Sequence, residues 1–398
     1  MKPLSKKARS IQPSQTLLLF ARAKKMKAEG IDVVSFTAGE PDFPTPQIVK
    51  DAGVRAINEN FTKYTQNRGI PDLVNAIAAK FKKDNNLSFE PSQILVSNGA
   101  KHSVYNALQA VCNPRDEVII PSPFWVSYPE MVRLADAVPV PVKASFQNQF
   151  KITPAQLKRA ITAKTKALLL NTPSNPTGAV YSREELEGIA DVVKNSGIFI
   201  ISDEIYEKVI YDDERHFSIG SLERIRDQVI TVNGVSKAYS MTGWRIGFMG
   251  GHADVIGLAE KIQGQATSNA NSIAQRAALA ALANNLDSQI RVMVTEFDRR
   301  RRYLIQEFQG LGIDFVFPKG AFYLFFNVKQ FFGASADGKK FRSSDDLCEF
   351  LLMVHKVALV PGTGFGDKNW VRMSYACSME ELQRGVERIK TGLSALKA

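Results

Sequence analysis

The sequence predicts an α/β protein with a largely parallel sheet and crossover helices. Short β-branched or aliphatic runs alternate with helical patterns over the first two thirds of the chain. The run Ile198 to Ile201 is apolar on both faces, as a strand covered by helices on both sides must be. Helix punctuation supplies the third observation. Pro71 can open a helix because a first-turn N–H has no intrahelical partner, Ser182 and Glu185 make a capping box, and Gly197 closes that helix.

In chain order, Leu17 to Glu29 reads as a helix, followed by one that begins at Pro71 and buries Leu73, Val74, Ile77 and Ala78. The expected strands are Ile94 to Val96, Glu117 to Ile120, Ala167 to Leu170, Ile198 to Ile201 and Val229 to Val232. After about residue 285 the pattern changes to a long charged helix (Gln289 to Phe308), a strand (Phe322 to Phe326), a helix (Asp345 to Val354) and a strand (Val371 to Ser374). A last helix starts at Ser378 with Glu381 in its cap. This predicts a large α/β domain over 47–285 and a smaller α+β domain over 286–398, which the N-terminal segment 1–46 joins.

At 398 residues the chain is long enough for two or three compact units, and 44% hydrophobic against 23% charged residues is a globular balance. Lys and Arg number 51 against 40 Asp and Glu, a net charge of +11 that suits anionic ligands. The basic residues are scattered, and short clusters such as Lys24, Lys25 and Lys27 or Arg299 to Arg302 read as solvated helix faces, so no nucleic-acid partner is expected. The three cysteines, Cys112, Cys348 and Cys377, lie far apart without a CxxC pair or clustered His, so a reducing compartment and no metal are expected. No apolar run approaches the length of a membrane helix or of a signal-peptide core, which makes a cytoplasmic protein without a membrane partner the expectation.

The most informative segment runs from Thr231 to Arg245 and places Ser236, Lys237 and Arg245 in one Gly-containing loop after a strand. A lysine just past a buried strand is open to desolvation, which lowers its pKa and leaves an amine able to attack a carbonyl. Ser236 and Arg245 offer a hydroxyl and a fork of donors to a phosphate. Asp203 ends a central strand, where open α/β sheets bind ligands, and can keep a pyridine nitrogen protonated. Tyr206 and Asn175 can donate to a phenolate oxygen. The turn Ser97-Asn98-Gly99-Ala100-Lys101 presents backbone N–H groups at a helix start, and Trp125 offers an aromatic face. Each has an ordinary reading as well: a capped helix, a turn amide, a core aromatic, an exposed lysine.

Taken together the segments resemble the fold type I pyridoxal-phosphate enzymes, specifically the class I aminotransferases. The resemblance spans nearly the whole chain from Pro13-Ser14. It is carried by Ala38-Gly-Glu-Pro-Asp-Phe, Lys63-Tyr-Thr, Asn175-Pro-Thr-Gly, Ser202-Asp-Glu-Ile-Tyr, Ser236-Lys237, Met241-Thr-Gly-Trp-Arg-Ile-Gly, Gly320-Ala-Phe-Tyr and Arg372-Met-Ser-Tyr. It is most similar to the subgroup of aspartate aminotransferases of bacteria and plastids, some of which also use prephenate.

That resemblance implies a large doubly wound domain carrying pyridoxal 5'-phosphate and a small domain that closes on the substrate. It implies Lys237 as the lysine bonded to the cofactor and as the proton shuttle, with Asp203 and Tyr206 also catalytic. Gly99, Ala100, Lys101, Trp125, Asn175, Ser236 and Arg245 are the further cofactor contacts. Arg372 is implied to grip the substrate α-carboxylate with Asn175 and the Gly39 backbone, a role its bidentate fork suits. Tyr64 would reach the cofactor phosphate of a neighbouring subunit, which implies a homodimer with shared active sites. One subgroup places a partner arginine on the distal carboxylate, but the matching stretch Thr267 to Ser272 has none. Lys101, with Ser14 and Thr16, is the expected substitute, beside Trp125.

Transamination between L-aspartate and 2-oxoglutarate is therefore the expected activity. Prephenate-active members often carry a lysine just before the N-terminal Pro, where this sequence has Gln12. The first alternative is a glutamate/aspartate-prephenate aminotransferase, bifunctional with the aspartate activity, and behind it an aromatic aminotransferase or a carbon–sulfur lyase on the same scaffold, since the cofactor carries the chemistry and the protein selects the bond. A non-enzymatic regulator of this type needs an added N-terminal DNA-binding module, and only about fifteen residues precede the resemblance.

Overall fold

The computed structural model describes residues 2–336 and 339–396. Its centre is a seven-stranded sheet of β1 (Ile94–Ser97), β2 (Glu117–Ser122), β3 (Val138–Lys143), β4 (Thr165–Asn171), β5 (Phe199–Asp203), β6 (Val229–Gly234) and β7 (Gly247–Gly250), in the order β1-β7-β6-β5-β4-β2-β3. Only β7 runs against the others, pairing antiparallel with β1 and β6, so the expected parallel α/β sheet is present.

The strands run further at their C-terminal ends than the apolar runs suggest. β2 extends to Ser122, β4 to Asn171, β5 to Asp203 and β6 to Gly234. Those added residues are mostly polar because they emerge at the edge where a parallel sheet meets its ligand, and an apolar-run reading stops before them. Two strands escaped that reading. β3 (Val-Pro-Val-Pro-Val-Lys) sits at the sheet edge, where prolines cost no ladder hydrogen bond. β7 contains Gly247, where a Cβ would collide with the backbone of Gly99 and Ala100. Glycine there lets the turn after β1 lie directly on β7.

The helices fall where the punctuation places them. Pro71 is the first residue of Pro71–Asn85, and Ser182 and Glu185 exchange both capping-box bonds before Arg183–Val193. The long charged helix is Asp287–Gly310, and the last helix is Met379–Ser394, with the Ser378 hydroxyl accepting from the Glu381 N–H. One expectation fails here. Arg299 and Arg302 face solvent, but Arg300 and Arg301 do not. Arg300 bonds Asp42 and Glu296, while Arg301 bonds Asp212, Asp298 and the Pro318 carbonyl. The run of like charges is split by helical periodicity, so half of it turns inward, where carboxylates compensate it.

A second, antiparallel sheet contains β8 (Phe315–Val316), β9 (Tyr323–Asn327), β10 (Val360–Pro361) and β11 (Trp370–Ser374), in the order β10-β11-β9-β8. Val34–Ser35 pairs in parallel with Val357–Ala358, which ties the N-terminal segment to this part of the chain. A continuous apolar core runs from Val118 and Leu169 of the large sheet through Phe297 and Phe322 to Met373. Both sheets are thereby fixed around one cleft.

Candidate active site

At the C-terminal edge of the large sheet lies a cavity of about 450 Å³, bounded across the cleft by the second sheet and at its mouth by Ser14, Thr16, Leu17 and Phe20 around the start of helix Gln15–Ala28. That is the position where an open α/β sheet binds its ligand, and the volume suits a small cofactor with its substrate.

Asp203 ends β5, and strand alternation decides what it faces. Its side chain lines the cavity, while those of Ser202 and Glu204 turn to the other face of the sheet, where the Ser202 hydroxyl donates to Glu204 Oε1 at 2.8 Å. Asp203 is buried and accepts from the Tyr128 hydroxyl (2.7 Å) and the Ile205 N–H (3.2 Å). Burial pushes its carboxyl up from 3.8 to about 6, against those hydrogen bonds.

Lys237 lies two residues beyond Val235, just past β6, and donates to the Gly39 carbonyl. Burial pulls its ammonium down to about 8, so a sizeable fraction is neutral amine near physiological pH. The expected desolvated lysine is thus present, and it faces Asp203 and Tyr206 across the same cavity.

An anion cradle is built beside it. Gly99 caps helix Ala100–Val111 with φ +88°, and a Cβ there would strike the Arg245 guanidinium. Glycine therefore serves both the left-handed turn and the close approach of Arg245. Arg245 itself bonds the carbonyls of Thr242 (2.8 Å) and Asn98 (3.2 Å), which aims the fork at the helix start. Ser236 lines the same region. First-turn N–H groups, a hydroxyl and a guanidinium make a phosphate-sized donor set.

Arg372 occupies the middle of β11 and is almost completely buried. One terminal nitrogen donates to Asn175 Oδ1 (3.0 Å) and the other to the Thr37 carbonyl (2.9 Å), while its Nε has no protein partner. Asn175 is held in turn by its N–H to Asn171 Oδ1 at 2.8 Å. A buried guanidinium with no carboxylate among these partners is a receptor for one.

Of the residues expected from sequence, Ser14, Thr16, Gly39, Ala100, Lys101, Trp125, Asn175, Asp203, Tyr206, Ser236, Lys237, Arg245 and Arg372 all line this cavity, and Gly99 adjoins it. Lys101 Nζ lies 4.8 Å from the centroid of the Trp125 ring, and burial with nearby Arg245 lowers its pKa. Tyr64 is elsewhere: it is 90% exposed and outside the cavity. The sequence reading gave no role to Tyr128, which bonds Asp203, or to Tyr323, whose hydroxyl lies 2.7 Å from that of Tyr206. Tyr323 closes the Gly320-Ala-Phe-Tyr motif and Tyr128 follows Trp125 by three residues, but only the folded chain shows what they touch.

Behind β5 is a second polar cluster that the sequence did not reveal. Glu204 accepts from Ser202, Ser218 and Asn85 and lies 2.8 Å from His216 Nε2, while Glu207 accepts from Lys80 and Asn85. Burial pulls His216 down, but Glu204 and Glu207 outweigh it and leave its pKa raised. These groups bond one another, with only His216 Nδ1 among their buried polar atoms left without a partner, and they lie beneath the turn carrying Asp203 and Tyr206.

Comparison with known proteins agrees with this geometry. The family model for aminotransferase class I and II matches residues 31–389. The chain belongs to the class I and II aminotransferases. This aminotransferase is 47% identical to aspartate aminotransferase of Bacillus subtilis (strain 168), over 97% of its own length and 98% of that protein's. It is 46% identical to a bifunctional aspartate aminotransferase and glutamate/aspartate-prephenate aminotransferase of Petunia hybrida, over 99% of this chain and 83% of the relative. The solved structure of Thermus thermophilus aspartate aminotransferase with maleate superposes with a TM-score of 0.93 at 41% identity, covering 98% of this chain and all of that one. Among the described residues no helix is long and apolar enough to cross a membrane.

Proposed function

We propose that this aminotransferase uses pyridoxal 5'-phosphate to move the amino group between L-aspartate and 2-oxoglutarate, giving oxaloacetate and L-glutamate. The observation that carries this reading is the convergence of a low-pKa lysine, a buried carboxylate and a buried guanidinium in one cavity. The residues fit the cofactor. Gly99 leaves the space that Arg245 needs at the helix start, and the donor set there matches a phosphate. Asp203 offers a carboxylate to a ring N–H, and the hydroxyl of Tyr206 and the amide of Asn175 offer hydrogen bonds to a ring oxygen. Trp125 offers a face against the ring.

Pyridoxal phosphate, when bound, supplies a carbonyl that takes up an amine and a ring that draws electrons from the substrate α-carbon. Asp203 then keeps a proton on the ring nitrogen, and its raised pKa is relieved by the positive charge it faces. Lys237 would hold the cofactor carbonyl at rest and, as a free amine, would take the proton from the substrate Cα and carry it across the cavity. Its depressed pKa keeps it a base at neutral pH. Arg372 binds the α-carboxylate bidentately, and the Gly39 and Asn175 positions limit how that carboxylate turns. Lys101, with Ser14 and Thr16, receives the distal carboxylate at the mouth.

Aspartate as donor is supported by the relatives named above. Prephenate as an additional acceptor is supported by the Petunia relative and opposed by Gln12, so aspartate is the reading stated here. Tyr64, exposed on a single chain, is read as a contact to the cofactor phosphate of a second copy in a homodimer. Residues 47–285 are read as the cofactor domain, and 286–398 with 1–46 as the smaller domain. Three unpaired cysteines suit the reducing cytoplasm.

Lys237→Ala is the direct test. The purified wild type is expected to be yellow after addition of pyridoxal phosphate and active with aspartate and 2-oxoglutarate. The variant is expected to melt near the wild-type temperature yet lose the visible band and nearly all turnover. Retained activity in the variant would sink the assignment, and faster turnover of aromatic acids than of aspartate in the wild type would move the substrate class.

A further inference from the structure

Tyr323 lines the cavity and has no part in the steps above, yet it joins two of the groups that do. It starts β9, opposite Ser374, while Phe325 stands opposite Arg372, so Tyr323 and Arg372 lie diagonally on the same sheet face. The Arg372 guanidinium sits over the Tyr323 ring at 4.5 Å from its centroid. The Tyr323 hydroxyl is 2.7 Å from that of Tyr206, and the two rings meet edge to face at 5.9 Å and 77°. Both side chains are buried. A carboxylate receptor from one sheet is thereby connected, through one phenol, to the hydroxyl that faces the cofactor from the other.

We propose that Arg372, Tyr323 and Tyr206 form a relay through which a carboxylate bound at Arg372 weakens the hydrogen bond that Tyr206 donates to the cofactor. The inference rests on the pyridoxal-phosphate reading. A phenol carries one proton, so in a pair of hydroxyls one donates to the other. The cation over its ring draws electron density from Tyr323 and makes it the stronger donor. Tyr323 then donates to Tyr206, which frees the Tyr206 proton for the cavity and strengthens it as a donor by cooperativity. Neutralising Arg372 with a carboxylate reverses the bias. Tyr206 donates less, and an anionic ring oxygen facing it holds protons nearby more tightly.

The charged groups around the pair agree with this direction. Arg372 faces both phenols, Asp203 lies near Tyr206, and Lys237 Nζ is 5.6 Å from the centroid of the Tyr206 ring. Burial raises the Tyr323 hydroxyl, and Arg372 is the charge that pulls it back. Of these groups only Arg372 is a receptor for an incoming carboxylate, so a ligand that has a carboxylate and no amino group changes the charge balance at Arg372 alone.

The test is the pH midpoint of the visible band of the holoenzyme, with and without saturating maleate, a dicarboxylate with no amino group to transfer. In the wild type maleate is expected to raise the midpoint. In Tyr323→Phe, which keeps the ring, the ligand-free midpoint is expected to rise by a few tenths of a pH unit and the maleate-induced shift to shrink. The same substitution made in a Tyr206→Phe background is expected to change neither quantity, because the relay ends at the Tyr206 hydroxyl. An unchanged midpoint and an unchanged maleate shift in Tyr323→Phe would overturn the relay, as would equal effects of Tyr323→Phe in both backgrounds. If Tyr323→Phe does not fold, a maleate shift in Tyr206→Phe as large as in the wild type overturns it. A wild type that develops no visible band with pyridoxal phosphate overturns the cofactor reading instead.

Discussion

Replacing Asp203 by Asn separates what the carboxylate costs the fold from what it gives the reaction. Burial raises its pKa from 3.8 to about 6, so the folded chain holds this proton to higher pH than the unfolded chain does. Above the folded value the group is ionised in both states, and the native state bears a penalty of about 3 kcal/mol, from two-odd pK units at 1.36 kcal/mol each. As pH falls through 6 and on toward 4 the penalty fades, to about half a kcal/mol at pH 4. Asn removes the charge but keeps a single carbonyl oxygen for the two donors, the Tyr128 hydroxyl and the Ile205 N–H. One of these bonds is lost at about 1 kcal/mol. The net expectation for the cofactor-free protein at pH 8 is a gain of about 2 kcal/mol, which for a chain of this size is about 2 to 3 °C in Tm. The gain should vanish near pH 4 to 5. Calorimetry across that range on both proteins is the assay. With pyridoxal phosphate added the order should reverse, because the variant loses the charge that holds the ring N–H, and turnover should collapse. A variant that is less stable at pH 8, or a difference that does not vary with pH, would refute the reasoning.

Two further outcomes follow from the substrate end of the cavity. Arg372→Lys replaces a fork that spans Asn175 and Thr37 with a point charge, so kcat/KM for aspartate should fall by at least about tenfold to a hundredfold, the worth of one charged hydrogen bond, and KM values measured for several amino acids should rise together. Lys101→Ala should raise KM for aspartate and 2-oxoglutarate by about tenfold while leaving that of an aromatic monocarboxylate nearly unchanged. Equal losses for both substrate types would assign Lys101 to the cofactor or the fold.

The sequence made the chemistry legible because its parts sit in short, contiguous motifs. Lys237 lies just past an apolar strand, Asp203 at the end of another, and Gly99 at a strand–helix turn, and in a parallel sheet all such ends face one edge. Periodicity put each at the end of a strand, and the ordered series of motifs, through its resemblance to the class I aminotransferases, put them in one site. Partners contributed across the cleft were not legible. Tyr128 reaches Asp203 from 75 residues away and Tyr323 reaches Tyr206 from 117, and nothing in a local pattern distinguishes either from a core aromatic. The buried Lys80, Glu204, Glu207 and His216 were hidden for a different reason: singly, each is a residue expected at the surface, and only mutual compensation allows them inside. The same holds for Arg300 and Arg301.

These hidden contacts share a direction. Tyr128, the Glu204 cluster and Tyr323 each hold a residue that the motifs did reveal, and each does so from a separate element. Asp203 is held from the cavity wall by Tyr128, its turn is anchored beneath by Glu204 and Glu207, and Tyr206 is met from the second sheet by Tyr323. A side chain supported from several elements is held to a narrow range of positions, and each of its supports can be replaced while the proposed carboxylate receptors Arg372 and Lys101 stay in place. Substitutions at the supports should therefore alter pH dependence and cofactor affinity before they alter the substrate KM, whereas substitutions at Arg372 and Lys101 should do the reverse. Kinetics on the two sets, compared at fixed pyridoxal phosphate, distinguish the layers. A support variant such as Tyr128→Phe that changed only the KM for aspartate would show that the wall of the cavity, and not Asp203, is what Tyr128 maintains.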